Sequence, residues 1–222
     1  MFYYEVLLAD SKFHGGAPLT YSSEESLPPM SVVTVPLRSR LATGFVVSEV
    51  GRPGFAVKPV KALISAKPLP FHCLQLAEWM AGYYAASLGE CLRQFAPSKP
   101  AVRQIKTDGF DKASVQLEMK TALTAEQKRA IQEIKANPST TVLLHGETGS
   151  GKTRVYLELA REALAAGKSV ILLTPEISLT TQLAASAAAY LDKRPYILHS
   201  GLSAARRKRI WLELLESAEP QV

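Results

Sequence analysis

At 222 residues the chain has room for one large domain or two small ones, and 47% hydrophobic against 21% charged residues exclude global disorder. A net charge of +6 and a pI near 9.3 favour a polyanionic partner without specifying one. No apolar run reaches the roughly 18 residues of a membrane span and no basic-then-apolar leader precedes the first residues, so the expected compartment is the cytoplasm, with no membrane partner. Cys73 and Cys91 form no Cys-x-x-Cys pair and read as reduced thiols rather than a metal site or a disulfide framework.

Residues 1 to about 65 read as all-β. Phe2 to Ala9, Val32 to Pro36 and Ala42 to Val50 are expected strands, and Gly51-Arg52-Pro53-Gly54 is a turn. Leu19-Thr20-Tyr21 lies in a polar, Ser- and Glu-rich approach to Pro28-Pro29. Short strands at this spacing predict a small barrel or sandwich. A helix follows from Phe71 to Ala86, and its stripe of Leu74, Ala77, Trp79, Met80, Tyr83 and Tyr84 reads as core packing. The first domain is thus a small β-rich, barrel-like unit with a helix, residues 1–100, ended by Pro97-Ser98-Lys99-Pro100. Residues 101–122 read as a linker.

The second domain, 123–222, starts at Leu123-Thr124-Ala125-Glu126-Gln127, where Thr124 is an N-cap and Gln127 sits at the capping-box position. Strands at 141–145, 169–174 and 195–198 then alternate with helices at 153–166, about 178–191 and 203–217. That βαβαβ order predicts a partial α/β lobe with a parallel, doubly wound sheet.

The most informative stretch is His145-Gly146-Glu147-Thr148-Gly149-Ser150-Gly151-Lys152-Thr153, a full GxxxxGK[ST] phosphate loop between an apolar run and a helix. Its glycines let the backbone turn, so that successive N–H groups and the positive end of the helix face an anion. Gly146, Thr148, Gly149, Ser150 and Gly151 form the cradle, Lys152 reaches the terminal phosphates and the Thr153 hydroxyl ligates magnesium. Lys152 and Thr153 are therefore the candidate catalytic residues, and ATP with magnesium the expected cofactors.

In order, these blocks resemble the PriA (primosomal protein N-prime) family of bacterial replication-restart DNA helicases of superfamily II. The family's helicase half carries L-T-x-x-Q, then L-L-x-G-x-T-G-S-G-K-T-x-V-Y, then L-x-P-E-I-S-L-T, then L-H-S-x-L-S with a tryptophan beyond. This chain has Leu123 to Gln127, Leu143 to Tyr156, Leu173 to Thr180, and Leu198 to Ser203 with Trp211. The first domain looks like the family's 3′-end DNA-binding domain, through Leu19-Thr20-Tyr21, Val35-Pro36-Leu37, Gly44 to Val47, Lys61-Ala62 and Ala81 to Tyr84.

The resemblance implies a pocket for the 3′-terminal nucleotide of a nascent strand, lined by Thr20, Tyr21 and Lys61. An aromatic ring there would stack a base and the lysine neutralise phosphate. Arg38 stands where the family has Gly and joins the expected DNA-binding residues. Gln127 would read adenine, and Thr174, Pro175, Glu176 and Thr180 would contact the DNA strand. Arg154 replaces a family Glu at a position expected to face away from the phosphates. Arg206 to Arg209 would touch DNA phosphates or form an exposed helix face.

The implied activity is that of an ATP-dependent 3′-to-5′ helicase in primosome assembly and replication restart. Its implied partners are forked and single-stranded DNA, other primosome proteins and single-strand binding protein, in the bacterial cytoplasm at the nucleoid. The chain reads as the family's N-terminal portion, without the winged helix, and by itself inactive in unwinding. The D-E-E-H box, second lobe and zinc insertion are expected further along the family's length. A DNA-binding module without catalysis and a small P-loop phosphotransferase are the competing readings.

Overall fold

Four extended segments rich in β-branched and aromatic residues build the N-terminal unit. The computed structural model describes residues 1–9, 17–97 and 122–222. Strand β1 (Phe2–Leu8) pairs antiparallel with β2 (Leu19–Ser23) on one side and β4 (Arg40–Val50) on the other. Strand β3 (Val32–Leu37) pairs with β4. Two short strands follow: β5 (Lys58–Pro59) lies parallel on β2, and β6 (Ala62–Leu63) antiparallel on β3. The sheet order is β5-β2-β1-β4-β3-β6. Its two edges are therefore formed by consecutive strands two residues apart. Val60 N donates to Ser22 O on one edge (2.8 Å) and Lys61 N to Thr34 O on the other (2.8 Å). This run ties the curled sheet edge to edge and decides for the barrel-like alternative over a sandwich.

One sheet face buries Tyr4, Val6, Leu8, Tyr21, Val33, Val35 and Val46. Tyr4 keeps its hydroxyl partnered in this core by accepting from Leu27 N at 2.9 Å. The other face presents Val32 and Phe45 to α1 (Phe71–Tyr84) and α2 (Leu88–Leu92). A capping box of Ser87 and Glu90 starts α2, an additional short helix beyond the one expected from the sequence.

The aromatic stripe of α1 is corrected by the structure. Ala77 is buried and Leu74 and Met80 pack on the core, but Trp79, Tyr83 and Tyr84 are exposed. Trp79 and Tyr83, one helical turn apart, share the outer face with ring centroids 5.0 Å apart, and Tyr84 meets Tyr83 edge-on at 4.8 Å.

The described residues fall into two compact units, one comprising the N-terminal residues to Pro97 with Gly201–Ser217, the other Ala122 to Ser200 with Ala218–Val222. The expected linker, apart from Ala122, lies outside the described residues. Helix α6 (Ala204–Glu216) consequently belongs by packing to the first unit. Trp211 Nε1 donates to Phe95 O at 2.7 Å, Lys67 Nζ donates to Glu216 O at 2.7 Å, and Leu215 joins the helix-covered core.

The second unit contains α3 (Ala125–Ala136), α4 (Lys152–Ala165) and α5 (Ile177–Leu191). Its helices agree with the sequence, but no parallel sheet is present among the described residues. Among the described residues, 141–145, 169–174 and 195–198 form no strand ladder. A strand is stable only beside another about 4.8 Å away. Here the backbone of the second and third segments bonds instead to the last two residues, through Val170 N to Gln221 O (2.8 Å) and Tyr196 N to Val222 O (2.7 Å). Leu143 and Leu173 accordingly stand 87% and 89% exposed. Among the described residues, the α/β character of this lobe is present in its helices and not as a sheet.

Candidate functional site

The phosphate loop is shaped by residues that tolerate the left-handed region. Gly149 and Gly151 sit at φ +85° and +83°, where a Cβ is strained. Gly151 caps α4, so the loop's N–H groups lead into a helix N-terminus. Lys152 turns back over the loop, and its Nζ donates to the carbonyls of Gly146 (2.5 Å) and Glu147 (2.7 Å). Ser150 N closes the turn on Glu147 O at 3.2 Å. A Cβ on Gly146 would meet Ser150 Oγ at 2.8 Å, so the cradle admits only glycine there without displacing that hydroxyl. Thr153 is exposed at the start of α4. Positive-φ glycines, a helix terminus and an inward lysine form a donor set that fits a polyphosphate, with Thr153 available for its magnesium. No group of three metal-ligating side chains occurs among the described residues.

Gln127 is held between two elements. Its Oε1 accepts from Thr124 N (3.1 Å), completing the capping box of α3, while its Nε2 donates to Gly151 O (3.5 Å). Four expected nucleotide residues, Gln127, Gly146, Gly151 and Lys152, are thus linked by direct hydrogen bonds or close approach.

Helix α4 is locked to α5 by a charged cluster absent from the sequence reading. Arg154, one residue past Thr153, lays its guanidinium 4.4 Å from the centroid of the Tyr190 ring. Buried Glu158 accepts from the Tyr190 hydroxyl and from Arg161. Burial pushes the Glu158 carboxyl up, but the Tyr190 hydrogen bond and the Arg161 and Arg154 charges outweigh it and hold the group below the usual carboxylate range. A depressed folded-state pKa contributes stability above the unfolded value, about 4.3, and loses it as pH falls through the folded value. Tyr190→Phe is therefore expected to lower stability at neutral pH by about 1.5 kcal/mol. The gap from wild type should narrow toward pH ~3 as the carboxylate is neutralised in both. Urea unfolding at the two pH values measures this, and equal midpoints at neutral pH would show that the Tyr190 hydroxyl contributes nothing.

At the start of α5 the Thr174 and Thr180 hydroxyls lie 2.8 Å apart, and both donate toward Glu176 O (3.3 and 3.2 Å). Pro175 and Glu176 are exposed beside them. The structure thus gathers the four residues expected to meet DNA in this unit.

Of the expected strand-end residues in the first unit, Tyr21 and Arg38 stand near the convergence of β2, β5 and the β3–β4 turn, while no hydrogen bond joins the Thr20 or Lys61 side chain to them among the described residues. Tyr21 is 3% exposed, and its hydroxyl donates to Pro36 O at 3.2 Å. Burial pushes its phenol pKa up. The ring is part of the core, facing inward rather than offering an open platform. Thr20 is half-buried on β2, and Lys61 is exposed between β5 and β6. Arg38 holds φ +54° at the turn, which explains why glycine suits this position. Lys58, a residue the sequence reading passed over, reaches Arg38 O with its Nζ at 3.4 Å. The Lys58-Pro59-Val60-Lys61 spacing was the available signal.

Two family models match the chain. A 3′ DNA-binding domain (3′BD) model covers residues 7–97, and a DEAD/DEAH box helicase model covers 124–222. Replication restart protein PriA of Helicobacter pylori strain J99 is 35% identical over 202 residues, 91% of this chain and 31% of that protein. The PriA of Treponema pallidum is 36% identical over 188 residues, 81% of the chain and 28% of that protein. The PriA of Rickettsia conorii is 32% identical over 199 residues, 87% and 30%. The chain spans less than a third of the length of these relatives. With both units matched in order, and relatives aligned across them, the chain belongs to the PriA family of replication restart proteins.

Proposed function

We propose that the chain supplies the strand-end DNA-binding unit and the nucleotide-binding part of an ATP-dependent 3′-to-5′ DNA helicase that acts at forked DNA in replication restart. The observation that carries this reading is the phosphate loop, with Lys152 Nζ turned into a cradle of positive-φ glycines. An incoming terminal phosphate would replace the Gly146 and Glu147 carbonyls as the partner of Lys152, exchanging neutral acceptors for a charged one. Thr153 would hold magnesium, whose role when bound is to neutralise charge on the β- and γ-phosphates. Gln127, already on the loop through Gly151 O, would report nucleotide occupancy to α3. The Thr174–Thr180 group would contact the DNA strand. In the first unit Thr20, Arg38 and Lys61 would receive a 3′ end around the Tyr21 tether, with Lys58 as an added cation. Other primosome proteins and single-strand binding protein are the partners this reading implies, in the bacterial cytoplasm.

Binding of labelled ATP with magnesium tests it. Lys152→Ala is expected to weaken binding at least ~10-fold, since one charge-assisted phosphate contact contributes about 1.5–3 kcal/mol. A free DNA 3′-hydroxyl should bind more tightly than a 3′-phosphate. Equal ATP binding by wild type and variant would remove the loop as the site, and indifference to the 3′ group would leave a generic DNA binder.

A further inference from the structure

Outside the strand-end residues, the first unit has an open cleft of about 820 Å³ where the β4–β5 loop faces the start of β1 and the end of β2. None of Thr20, Tyr21, Arg38 or Lys61 lines it. Its walls carry Tyr3, Ser22, Glu24, Arg52, Phe55 and Pro59. Phe55 is 65% exposed, an apolar ring held in solvent by a loop in which nothing crowds Gly54. Arg52 is exposed and makes no ion pair among the described residues. Glu24 provides an acceptor on the facing wall.

An exposed aromatic face, a free guanidinium and a carboxylate around one concavity match the parts of a nucleotide. The ring stacks a base, the arginine meets its phosphate, and the carboxylate accepts from an exocyclic amine. Position supports the same ligand. Ser22 and Pro59 line the cleft and pair with each other, and their chain neighbours Tyr21 and Lys58 form the next pair, at the strand-end residues. A strand ending there has its next nucleotides beside the cleft.

We propose that this cleft is a second single-stranded DNA subsite, taking a nucleotide upstream of the strand end, with Phe55 stacking its base and Arg52 holding its phosphate. The inference rests on the reading of the first unit as DNA-binding. It assigns length preference to the β4–β5 loop and end recognition to the seam between β2, β5 and β3.

The test measures binding by the full 222-residue chain to single strands of about six nucleotides and to dinucleotides, each ending in 3′-hydroxyl or 3′-phosphate. Phe55→Ala is expected to weaken hexamer binding about tenfold, leaving dinucleotide affinity and the hydroxyl-to-phosphate preference unchanged. Arg52→Ala should weaken hexamer binding several-fold and flatten the dependence of log affinity on log salt by about 0.7. Both side chains are exposed, so melting temperatures should match wild type. If wild type binds hexamers and both variants bind as tightly, the cleft is not a subsite, although the unit still binds DNA. If wild type binds no strand at all, the DNA reading of the unit falls, and the subsite with it.

Discussion

Phe45→Ala is expected to destabilise the first unit by about 3–5 kcal/mol, the usual cost of emptying a fully buried phenylalanine site. Phe45 is 1% exposed on β4, on the sheet face covered by α1 and α2. Val32, Ala77 and Leu92 share that layer, and none is large enough to fill the hole. At roughly 4–8 °C per kcal/mol for a unit of this size, the melting temperature should fall by more than about 12 °C. Phe55→Ala is the matched control, with an expected change within about 0.5 kcal/mol. Calorimetry of the two variants decides the matter, and a drop of less than about 1.5 kcal/mol for Phe45→Ala would contradict the packing described.

Gly89→Ala is expected to destabilise the same unit by about 1–3 kcal/mol or more, against the usual sign for this substitution. In an exposed helix, alanine gains roughly 0.5–1 kcal/mol over glycine. Here an added Cβ would stand 2.2 Å from the carbonyl oxygen of Leu8. That atom is backbone of β1, so either the strand or α2 must move. The measurable sign is lower urea resistance of G89A than wild type. An equal or higher midpoint would show that α2 does not sit on β1 as closely as described.

Much of this architecture was legible in the sequence because its signals are local. The Thr124–Gln127 capping box announced α3, and the Gly149-Ser150-Gly151-Lys152-Thr153 run announced both the loop and the start of α4. The β-branched run Val32 to Pro36 and the apolar run Ala42 to Val50 marked β3 and β4. What was not legible depends on distant partners. Strands β5 and β6 are two residues each and exist only because β2 and β3 lie beside them. The stripe of α1 showed helical spacing but not which turn faced the sheet, so Trp79 and Tyr83 were read as core. In the second unit local patterning predicted three strands, and patterning cannot supply the neighbours a ladder needs. At the sites, residue types were readable but second roles were not. Tyr21 spends its hydroxyl on Pro36, and Glu158 and Tyr190 bind Arg154 and Arg161 from separate helices.

Helix α6 closes the helix-covered core of the first unit from far along the chain, since Trp211 meets Phe95 and Glu216 meets Lys67. During synthesis that core must therefore wait. At about 5–20 residues per second, the roughly 120 residues between Pro97 and Ser217 take on the order of 6–24 s to emerge. For that interval the surface around Phe95 and Leu92 lacks its last helix, while the intervening residues of the second unit are being made. Completion of the first unit's helix-covered core is thereby set by translation of the second unit's residues, so the two units are completed together rather than in sequence.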